Sequence, residues 1–449
     1  MSLFEERYVQ RTPRSHALYE EACHYLAGGV GGRGKFIKPY PLYLRSAQGS
    51  RAVDVDGNAY IDVTMGAGPC LLGHNPEPVL AAVRRQMLVA CHTLWATELE
   101  VRLAQRLQGH MPHLELLRFA NSGSEAIKMA VRAARAYTGK EKIAKFEGNF
   151  HGSDDAFLVS TSTDEVRGSD DAPEPVLDCA GLPASVLAQT LVLPFNNAAA
   201  TEMLVRRHAS ELAAVVVEPV AVTPGFGVPA RKSFLERLRL VTREEGIPLI
   251  YDEIVTGFRL GLGGAAAYYG VAPDLAAIGK ACAGGFPIGA FGGKREIMDK
   301  VVTPTGDPSD ATTKIFQSGT FTANPLSMAA GLATLDELEK PGVYEHLNAL
   351  GDYLRAGFRD LFASHGIAAQ VTGLGSIYNY IFTEQEVVDR RGVLRSDLHF
   401  HGEFCLGLIT KGVLQPIRHT AFLSAAHTLE EMNEILAAGE SVLHEMPVR

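Results

Sequence analysis

Lys280 is the residue of this 449-residue chain whose position most suggests chemistry. It follows Ile278 and Gly279 at the end of an apolar stretch and precedes a glycine-rich turn over residues 284–289. A lysine in a partly buried cleft has a lowered pKa and can form a Schiff base with a carbonyl compound. The alternative is a surface lysine, because most lysines are exposed.

Two other segments could bind a phosphate group. Residues 121–125, Asn-Ser-Gly-Ser-Glu, follow the apolar run Leu116–Ala120 and open a helix with one apolar face. Ser122 and Glu125 match a capping box, and the free N–H groups at such a helix end also bind anions. Residues 318–325 place hydroxyl groups and backbone N–H groups in a glycine-containing turn. Simple helix capping and an ordinary loop are the alternatives for these two segments.

Two carboxylates stand at the ends of apolar runs that are typical of strands. Glu218 follows Leu212–Val217, and Asp252 follows Ile247–Tyr251. Ligands of an open α/β sheet bind beyond the carboxyl ends of its strands, so both side chains are expected beside a binding site. Asp252 could act as a metal ligand, as a base or as the partner of a ring nitrogen. Its structural alternative is to cap the turn that follows.

The elements that must position these residues alternate between strand and helix. Between the two strand runs, residues 231–245 carry apolar side chains at helical spacing. Apolar strands that alternate with amphipathic helices predict a mostly parallel sheet covered on both faces. Residues 50–63 alternate around a turn and predict a β-hairpin. After about residue 335, the pattern helix, strand, strand, helix predicts a smaller α+β lobe, closed by a helix over 429–444.

The order and spacing of the motifs carry more weight than any one of them. The set comprises Asp54-Val55-Asp56-Gly57-Asn58, Gly73-His74-Asn75-Pro76, Asn121-Ser122-Gly123-Ser124-Glu125-Ala126, Phe150-His151-Gly152, Glu218-Pro219, Asp252-Glu253, Thr256-Gly257-Phe258-Arg259, Gly279-Lys280, Gly319-Thr320 and Asn324-Pro325. Over residues 25–445, the chain resembles the class III, fold-type I aminotransferases that depend on pyridoxal 5′-phosphate.

The resemblance implies an α/β fold with a large domain and a small one. The large domain would hold a mostly parallel sheet of the seven-stranded type, and the small α+β lobe would come from both termini. The expected limits are 1–60 for the N-terminal segment of the small domain, 61–334 for the large cofactor-binding domain and 335–449 for the C-terminal small domain.

By the same resemblance, pyridoxal 5′-phosphate is the expected cofactor and Lys280 the lysine that holds it and later moves a proton. Asp252 would pair with the protonated ring nitrogen and keep the ring an electron sink. Phe150 would stack on one face of the ring, where many relatives have Tyr, and Ile254 would pack on the other face. Glu218 matches a family carboxylate on the substrate side.

The phosphate group has two expected sources of binding groups. Ser122 and Gly123 would bind it at the helix N-terminus. Thr320 resembles a phosphate ligand that reaches across from a partner subunit, which implies a homodimer with a shared active site. No metal ligand is expected.

The expected substrate is an amine that carries a carboxylate. Gly28-Gly29-Val30-Gly31-Gly32-Arg33 resembles the branch that contains the glutamate-1-semialdehyde aminomutases and related β-amino-acid aminotransferases, in which an arginine here binds the substrate carboxylate. The fork of a guanidinium matches a carboxylate bidentately, so Arg33 is one candidate. Its alternative is a solvent-facing arginine in a glycine-rich loop.

Arg418 is the second candidate, in a segment that departs from the aminomutase pattern. Aminomutases have an acidic residue near the position of His419, and this segment has no carboxylate. We therefore predict an aminotransferase that passes nitrogen from a carboxylate-bearing amine, possibly a β-amino acid, to a keto acid. The alternative is glutamate-1-semialdehyde 2,1-aminomutase, an isomerase; a racemase or decarboxylase on the same fold is a further one.

The composition argues against several other classes of function. The net charge of −9 disfavours nucleic-acid binding, which needs a basic surface. The six cysteines lack C-x-x-C spacing, so neither a disulfide scaffold nor a zinc site is expected. No apolar stretch approaches the length of about 18 residues that spans a membrane, and the N-terminus lacks an apolar signal segment. No membrane partner and a cytoplasmic location are therefore expected.

Overall fold

The computed structural model describes residues 1–446, and a central sheet within them carries the functional candidates. The order of its seven strands is β4-β14-β13-β12-β9-β5-β8. The strands of the described residues, in chain order, are β1 Leu44–Gln48, β2 Arg51–Asp54, β3 Ala59–Asp62, β4 Leu116–Ala120, β5 Lys142–Phe146, β6 Arg167–Gly168, β7 Pro173–Glu174, β8 Thr190–Leu193, β9 Leu212–Val217, β10 Val220–Ala221, β11 Val228–Pro229, β12 Leu249–Glu253, β13 Leu275–Gly279, β14 Gly289–Gly293, β15 Gln370–Thr372, β16 Ile377–Ile381, β17 Val413–Leu414 and β18 Ala421–Phe422.

Helices cover this sheet and form much of the rest of the chain, together with the shorter strands. None of them, within residues 1–446, is long and apolar enough to cross a membrane. They are α1 Leu3–Arg11, α2 Pro13–Ala22, α3 Glu77–Met87, α4 Glu98–His110, α5 Gly123–Thr138, α6 Ser185–Gln189, α7 Ala198–Arg207, α8 Lys232–Glu244, α9 Gly264–Tyr269, α10 Arg295–Val301, α11 Asp310–Thr313, α12 Pro325–Leu338, α13 Val343–Ser364, α14 Arg390–Leu394, α15 Leu398–Thr410 and α16 Leu429–Glu445.

The central sheet confirms the predicted α/β fold with a mostly parallel sheet of seven strands. Strands β8, β5, β9, β12 and β13 are parallel, and only β14 runs against its neighbours β13 and β4. Every residue of β9 is buried. A strand covered by helices on both faces has no polar side, which is why its sequence is a continuous apolar run.

Residues from both ends of the chain form a second core. Phe4 and Tyr8 of α1 are buried in the same cluster as Phe358 of α13 and Phe404 of α15. The predicted hairpin over 50–63 is confirmed, because β2 and β3 pair antiparallel. The exact domain limits stay predictions.

The C-terminal part contains more elements than the predicted helix, strand, strand, helix. Helices α14 and α15 and the short strands β17 and β18 lie between β16 and α16. Most of α15 is buried, from Phe400 to Thr410. A helix buried on several sides lacks the amphipathic period by which helices are found in a sequence. The closing helix α16 matches its prediction.

Candidate active site

A cavity of about 400 Å³ lies at the carboxyl ends of β4, β9, β12 and β13. This is the edge at which open α/β sheets bind ligands. The cavity is lined by Pro69, Asn121, Ser122, Gly123, Ser124, Phe150, His151, Gly152, Glu218, Asp252, Ile254, Val255, Lys280, Gly285, Phe286, Pro287 and Ile288. It therefore gathers most of the predicted site residues.

Lys280 follows the last residue of β13 and adopts a left-handed backbone conformation, with φ of 46°. Burial lowers the pKa of its amine, and the negative charges of Glu218 and Asp252 oppose that shift. The guanidinium of Arg259 adds to the lowering of the pKa. An amine with a lowered pKa is neutral for a larger fraction of the time, as a nucleophile or base must be.

Asp252 is held by two hydrogen bonds beside the cavity. Its Oδ2 lies 2.8 Å from Nδ1 of His151, and its Oδ1 accepts from the backbone N–H of Ile254 at 3.1 Å. Burial lowers the pKa of His151, which keeps the ring neutral. A neutral imidazole can only donate to a carboxylate from its protonated nitrogen, so Nδ1 carries the proton. The arrangement leaves a buried carboxylate able to balance a positive charge in the cavity.

Glu218 is a second buried carboxylate in the cavity, 5% exposed. Its Oε2 accepts from the backbone N–H of Phe150 at 2.7 Å, and its own N–H donates to Oδ1 of Asn149 at 2.9 Å. Burial, followed by the negative charge of Asp252, raises the pKa of Glu218 well above its ordinary value. These contacts link the segments that follow β5 and β9.

The N-terminus of α5 points its free N–H groups toward the same cavity. Oγ of Ser122, the N-cap, accepts from the N–H of Glu125 at 3.2 Å. Oε2 of Glu125 accepts from the N–H of Asn121 at 2.8 Å, so the predicted capping box is shifted by one residue. Because the first N–H groups of a helix lack partners within the helix, this end can bind an anion.

Two glycines make room for that helix end. A Cβ on Gly123 would lie 2.8 Å from Cγ2 of Ile254, so any side chain there would displace the isoleucine. Gly152 has φ of 86°, and a Cβ there would lie 2.3 Å from Oγ of Ser124. A bulky anion can approach the backbone only where side chains are missing, so these positions form a cradle.

Thr320 does not line the cavity of its own chain. Its residue is exposed, in the loop between α11 and α12. A Cβ on the preceding residue, Gly319, would lie 2.8 Å from Nδ2 of Asn121. The position of Thr320 is compatible with a contact to a second chain, and its role stays a prediction.

The two predicted substrate arginines also lie outside the cavity lining. Arg33 is exposed, and its guanidinium makes no hydrogen bond or ion pair with any residue of 1–446. Nη2 of Arg418 lies 3.1 and 3.0 Å from the two carboxylate oxygens of Asp164. Nη2 of the buried Arg390 lies 3.0 Å from the same carboxylate. Their roles in substrate binding stay predictions.

His419 does not line the cavity, but it lies close enough to Lys280 for the charge of that lysine to lower its pKa. Its Nδ1 lies 3.0 Å from the carbonyl oxygen of Thr420, and its Nε2 lies 3.0 Å from Oγ1 of Thr223. A carbonyl can only accept, so Nδ1 carries the proton and Nε2 accepts from the threonine hydroxyl. Burial lowers the pKa of His419, and the positive charge of Lys280 lowers it further.

Sequence reasoning found the motifs that contain His151 and Arg259 but assigned neither residue a role. His151 is the hydrogen-bond partner of Asp252, 101 residues away in the chain. Pro69 and residues 285–288, which line the cavity, were not singled out as wall residues. The available signal was the position of His151 directly after Phe150, within a few residues of the end of β5.

Comparisons with known proteins agree with this geometry. The family model Aminotransferase class-III matches residues 36–437. Glutamate-1-semialdehyde 2,1-aminomutase from Persephonella marina is 41% identical over 438 residues, which cover 96% of this chain and 99% of that enzyme.

Two solved structures resemble the chain at full length. An omega-transaminase from Sphaerobacter thermophilus has a TM-score of 0.91 and 37% identity, over 97% of this chain and 99% of its own. A β-phenylalanine aminotransferase from Variovorax paradoxus has a TM-score of 0.87 and 30% identity, over 98% of this chain and 96% of its own.

Proposed function

Because this chain belongs to the class III aminotransferase family, we propose that it passes an amino group from a carboxylate-bearing amine to a keto acid. It is an enzyme that depends on pyridoxal 5′-phosphate. The amine is proposed to be a β-amino acid, by analogy with the β-phenylalanine aminotransferase from Variovorax paradoxus.

The residues of the cavity fit this cofactor. The cradle at Gly123 and Gly152 admits a phosphate to the N-terminus of α5. Asp252, held by His151, supplies the negative charge that a protonated pyridine nitrogen requires. Phe150 and Ile254 supply the apolar surfaces against which a flat ring can pack.

Each proposed role follows from a property of the side chain. When bound, pyridoxal phosphate supplies a carbonyl carbon that takes up amino groups and a ring that stabilises a carbanion. Nζ of Lys280 would hold the cofactor through that carbonyl carbon, and as a neutral amine it would take the proton from the substrate carbon that bears the amine. Arg33 or Arg418 would bind the substrate carboxylate and orient the C–H bond toward Nζ.

The observation that favours a transferase is the uncharged imidazole of His419 near Lys280. Glutamate-1-semialdehyde aminomutases are expected to have an acidic residue near this position, whereas His419 is uncharged and bonded to Thr223 and to the carbonyl of Thr420. An isomerase must retain an intermediate that carries two amino groups. Without a carboxylate near the position of His419, one negative charge that could bind this intermediate is missing.

The isomerase is the second candidate, and a specific observation favours it. The curated relatives at about 40% identity carry the name glutamate-1-semialdehyde 2,1-aminomutase, and one of them is matched over 99% of its length. The names of the relatives therefore support the isomerase better than the transferase, whereas the uncharged side chain of His419 supports the transferase.

One experiment separates the two candidates. Purified enzyme is mixed with single donors, without a keto acid, and the visible absorbance of the cofactor is followed. A transferase loses its visible band with a β-amino acid and recovers it when 2-oxoglutarate or pyruvate is added. Catalytic formation of 5-aminolevulinate from glutamate-1-semialdehyde, with no acceptor present, would instead establish the isomerase and overturn the argument from His419.

The working enzyme is proposed to be a homodimer. Large apolar side chains that a single chain leaves exposed cluster in the segments before α4 and before α12, at Leu88, Leu94, Trp95, Phe316 and Phe321, with exposed fractions of 90%, 87%, 84%, 79% and 60%. Exposed apolar side chains on this scale are typical of an interface. The second segment contains Thr320, which supports the assignment of that residue to the partner's phosphate site.

Mixed dimers test the shared site. A Lys280→Ala chain and a Thr320→Ala chain are each assayed alone and then after exchange of subunits. If Thr320 serves the partner, a hybrid dimer contains one site with both changes and one intact site, so activity reappears on mixing. If Thr320 serves its own chain, every site of the hybrid carries one change and no activity is recovered.

A further inference from the structure

Arg259 is a fully buried arginine without a carboxylate partner among the described residues. Its Nη1 donates to Oγ of Ser376 at 2.8 Å and to the carbonyl oxygen of Leu423 at 3.0 Å. Its Nη2 donates to the carbonyl oxygen of Gly68 at 2.5 Å. Nε has no partner within residues 1–446. Burial of a cation without a counter-charge is costly, so the other contacts of the guanidinium must offset that cost.

Two of the residues that Arg259 contacts, Gly68 and Phe422, lie in the neighbourhood of Lys280. The guanidinium carbon lies 4.9 Å from the ring centre of Phe422. A Cβ built on Gly68 would lie 3.7 Å from Cδ of Lys280 and 3.7 Å from Cε1 and Cζ of Phe422. The lysine stem and the ring of Phe422 therefore both lie close to Gly68, whose carbonyl oxygen accepts from the same guanidinium.

The charge of Arg259 also acts on the amine of Lys280. The charged or titratable groups that influence this amine are Glu218 after β9, Asp252 in β12, Arg259 after β12 and His419 before β18. The two carboxylates favour the protonated amine, and Arg259 disfavours it. Burial lowers the pKa of Arg259 to about 10, which leaves its guanidinium charged at neutral pH.

We propose that Arg259 is a positioning residue for Lys280. It fixes Gly68, the residue beside the lysine stem, and places a positive charge near Nζ. Through these two effects, it sets the orientation and the proton affinity of the amine that holds the cofactor. The proposal rests on the assignment of Lys280 as that amine.

The charge effect is tested with a pH titration of the visible absorbance of the holoenzyme. Arg259→Met should raise the midpoint by roughly one pH unit, since a nearby cation is lost at an intermediate effective dielectric constant. Arg259→Lys keeps the charge and should return the midpoint to the wild-type value. A folded Arg259→Met enzyme with the wild-type midpoint would overturn this part of the proposal.

The bracing effect is tested by the rate at which cofactor-free protein recovers the visible band with pyridoxal phosphate. A lysine ammonium is a single point on a flexible stem and lacks the planar fork with which Arg259 contacts Ser376, Leu423 and Gly68, so Arg259→Lys should slow this rate about tenfold through misplacement of Lys280. A wild-type rate would refute the bracing effect, and this test holds even if Arg259→Met does not fold.

Two control variants complete the design. Arg355 is another buried arginine, and its Nη1 donates to the carbonyl oxygens of Gly375 and Ile377, both at 2.7 Å. These two residues stand on either side of Ser376 in the chain, and Ser376 is a contact of Arg259. Arg355→Met should leave both readouts at wild-type values, and an equal shift in this variant would reduce the role of Arg259 to general packing. If Lys280→Ala retains the visible band, the cofactor assignment itself is wrong, which is a different failure.

Discussion

A substitution at Gly123 tests the cradle that is proposed to bind the phosphate of the cofactor. The Cβ of Gly123→Ala would lie 2.8, 2.9 and 3.1 Å from three side-chain carbons of Ile254, against an ordinary closest approach of 3.4 Å or more. Ile254 or the helix end must therefore shift by several tenths of an ångström. Because Ile254 borders the cavity, it should move toward the place of the cofactor ring.

The cost of such overpacking is typically about 1–3 kcal/mol. If this overpacking cost arises only when the cofactor is bound, it lowers the affinity for pyridoxal phosphate. Each 1.4 kcal/mol corresponds to a tenfold change in the dissociation constant, so the affinity should fall about 5- to 150-fold. The measurement is a titration of cofactor-free protein with pyridoxal phosphate, followed by absorbance. The double variant Gly123→Ala with Ile254→Ala removes the clash, so its cofactor affinity should equal that of Ile254→Ala alone, which has lost the same contact with the ring.

Gly139 is a matched control at the other end of the same helix. It has φ of 71°, and no atom lies within 4 Å of the Cβ that alanine would add. Gly139→Ala should lower the free energy of unfolding by about 1 kcal/mol, because alanine is strained in this conformation. Its cofactor affinity should not change. The cradle would be refuted by wild-type affinity in Gly123→Ala, or by a double variant that binds the cofactor more weakly than Ile254→Ala alone.

Three further predictions concern charged groups. Asp252→Asn should lower kcat about a hundredfold or more, because a charge-balancing group is lost, while the dissociation constant of the cofactor changes much less. Asp62 raises the pKa of His74 to about 10, with Cys70 contributing. The stabilisation from this pair is fully present below the ordinary histidine pKa and is lost as pH rises toward 10, so denaturant titrations should show a decline that His74→Asn removes. Asp164→Asn should free Arg418 and lower KM for 2-oxoglutarate by up to about fivefold, the worth of an exposed ion pair, while KM for pyruvate stays constant.

The sequence by itself determined the chemistry-bearing residue types and the elements next to them. Lys280 and residues 121–125 each belong to a short segment of strand, turn and helix signals, and such signals depend only on neighbouring residues. Glu218 and Asp252 follow apolar runs whose parallel pairing is a consequence of helices between them. The common position of Glu218 and Asp252 at one edge of the sheet followed from that rule, and both line the cavity together with Lys280 and residues 121–124.

Only the tertiary structure decided which distant groups meet. The contact between Arg259 and Gly68 spans 191 residues, and the contact between Arg418 and Asp164 spans 254. Hydrophobic periodicity indicates which face of a helix or strand is buried. It does not indicate which distant groups the polar side chains of that element contact. The shift of Glu125 to the N–H of Asn121 and the burial of α15 also depend on neighbours supplied by packing. Side-chain pairing across the fold is set by three-dimensional packing, and no local pattern encodes it.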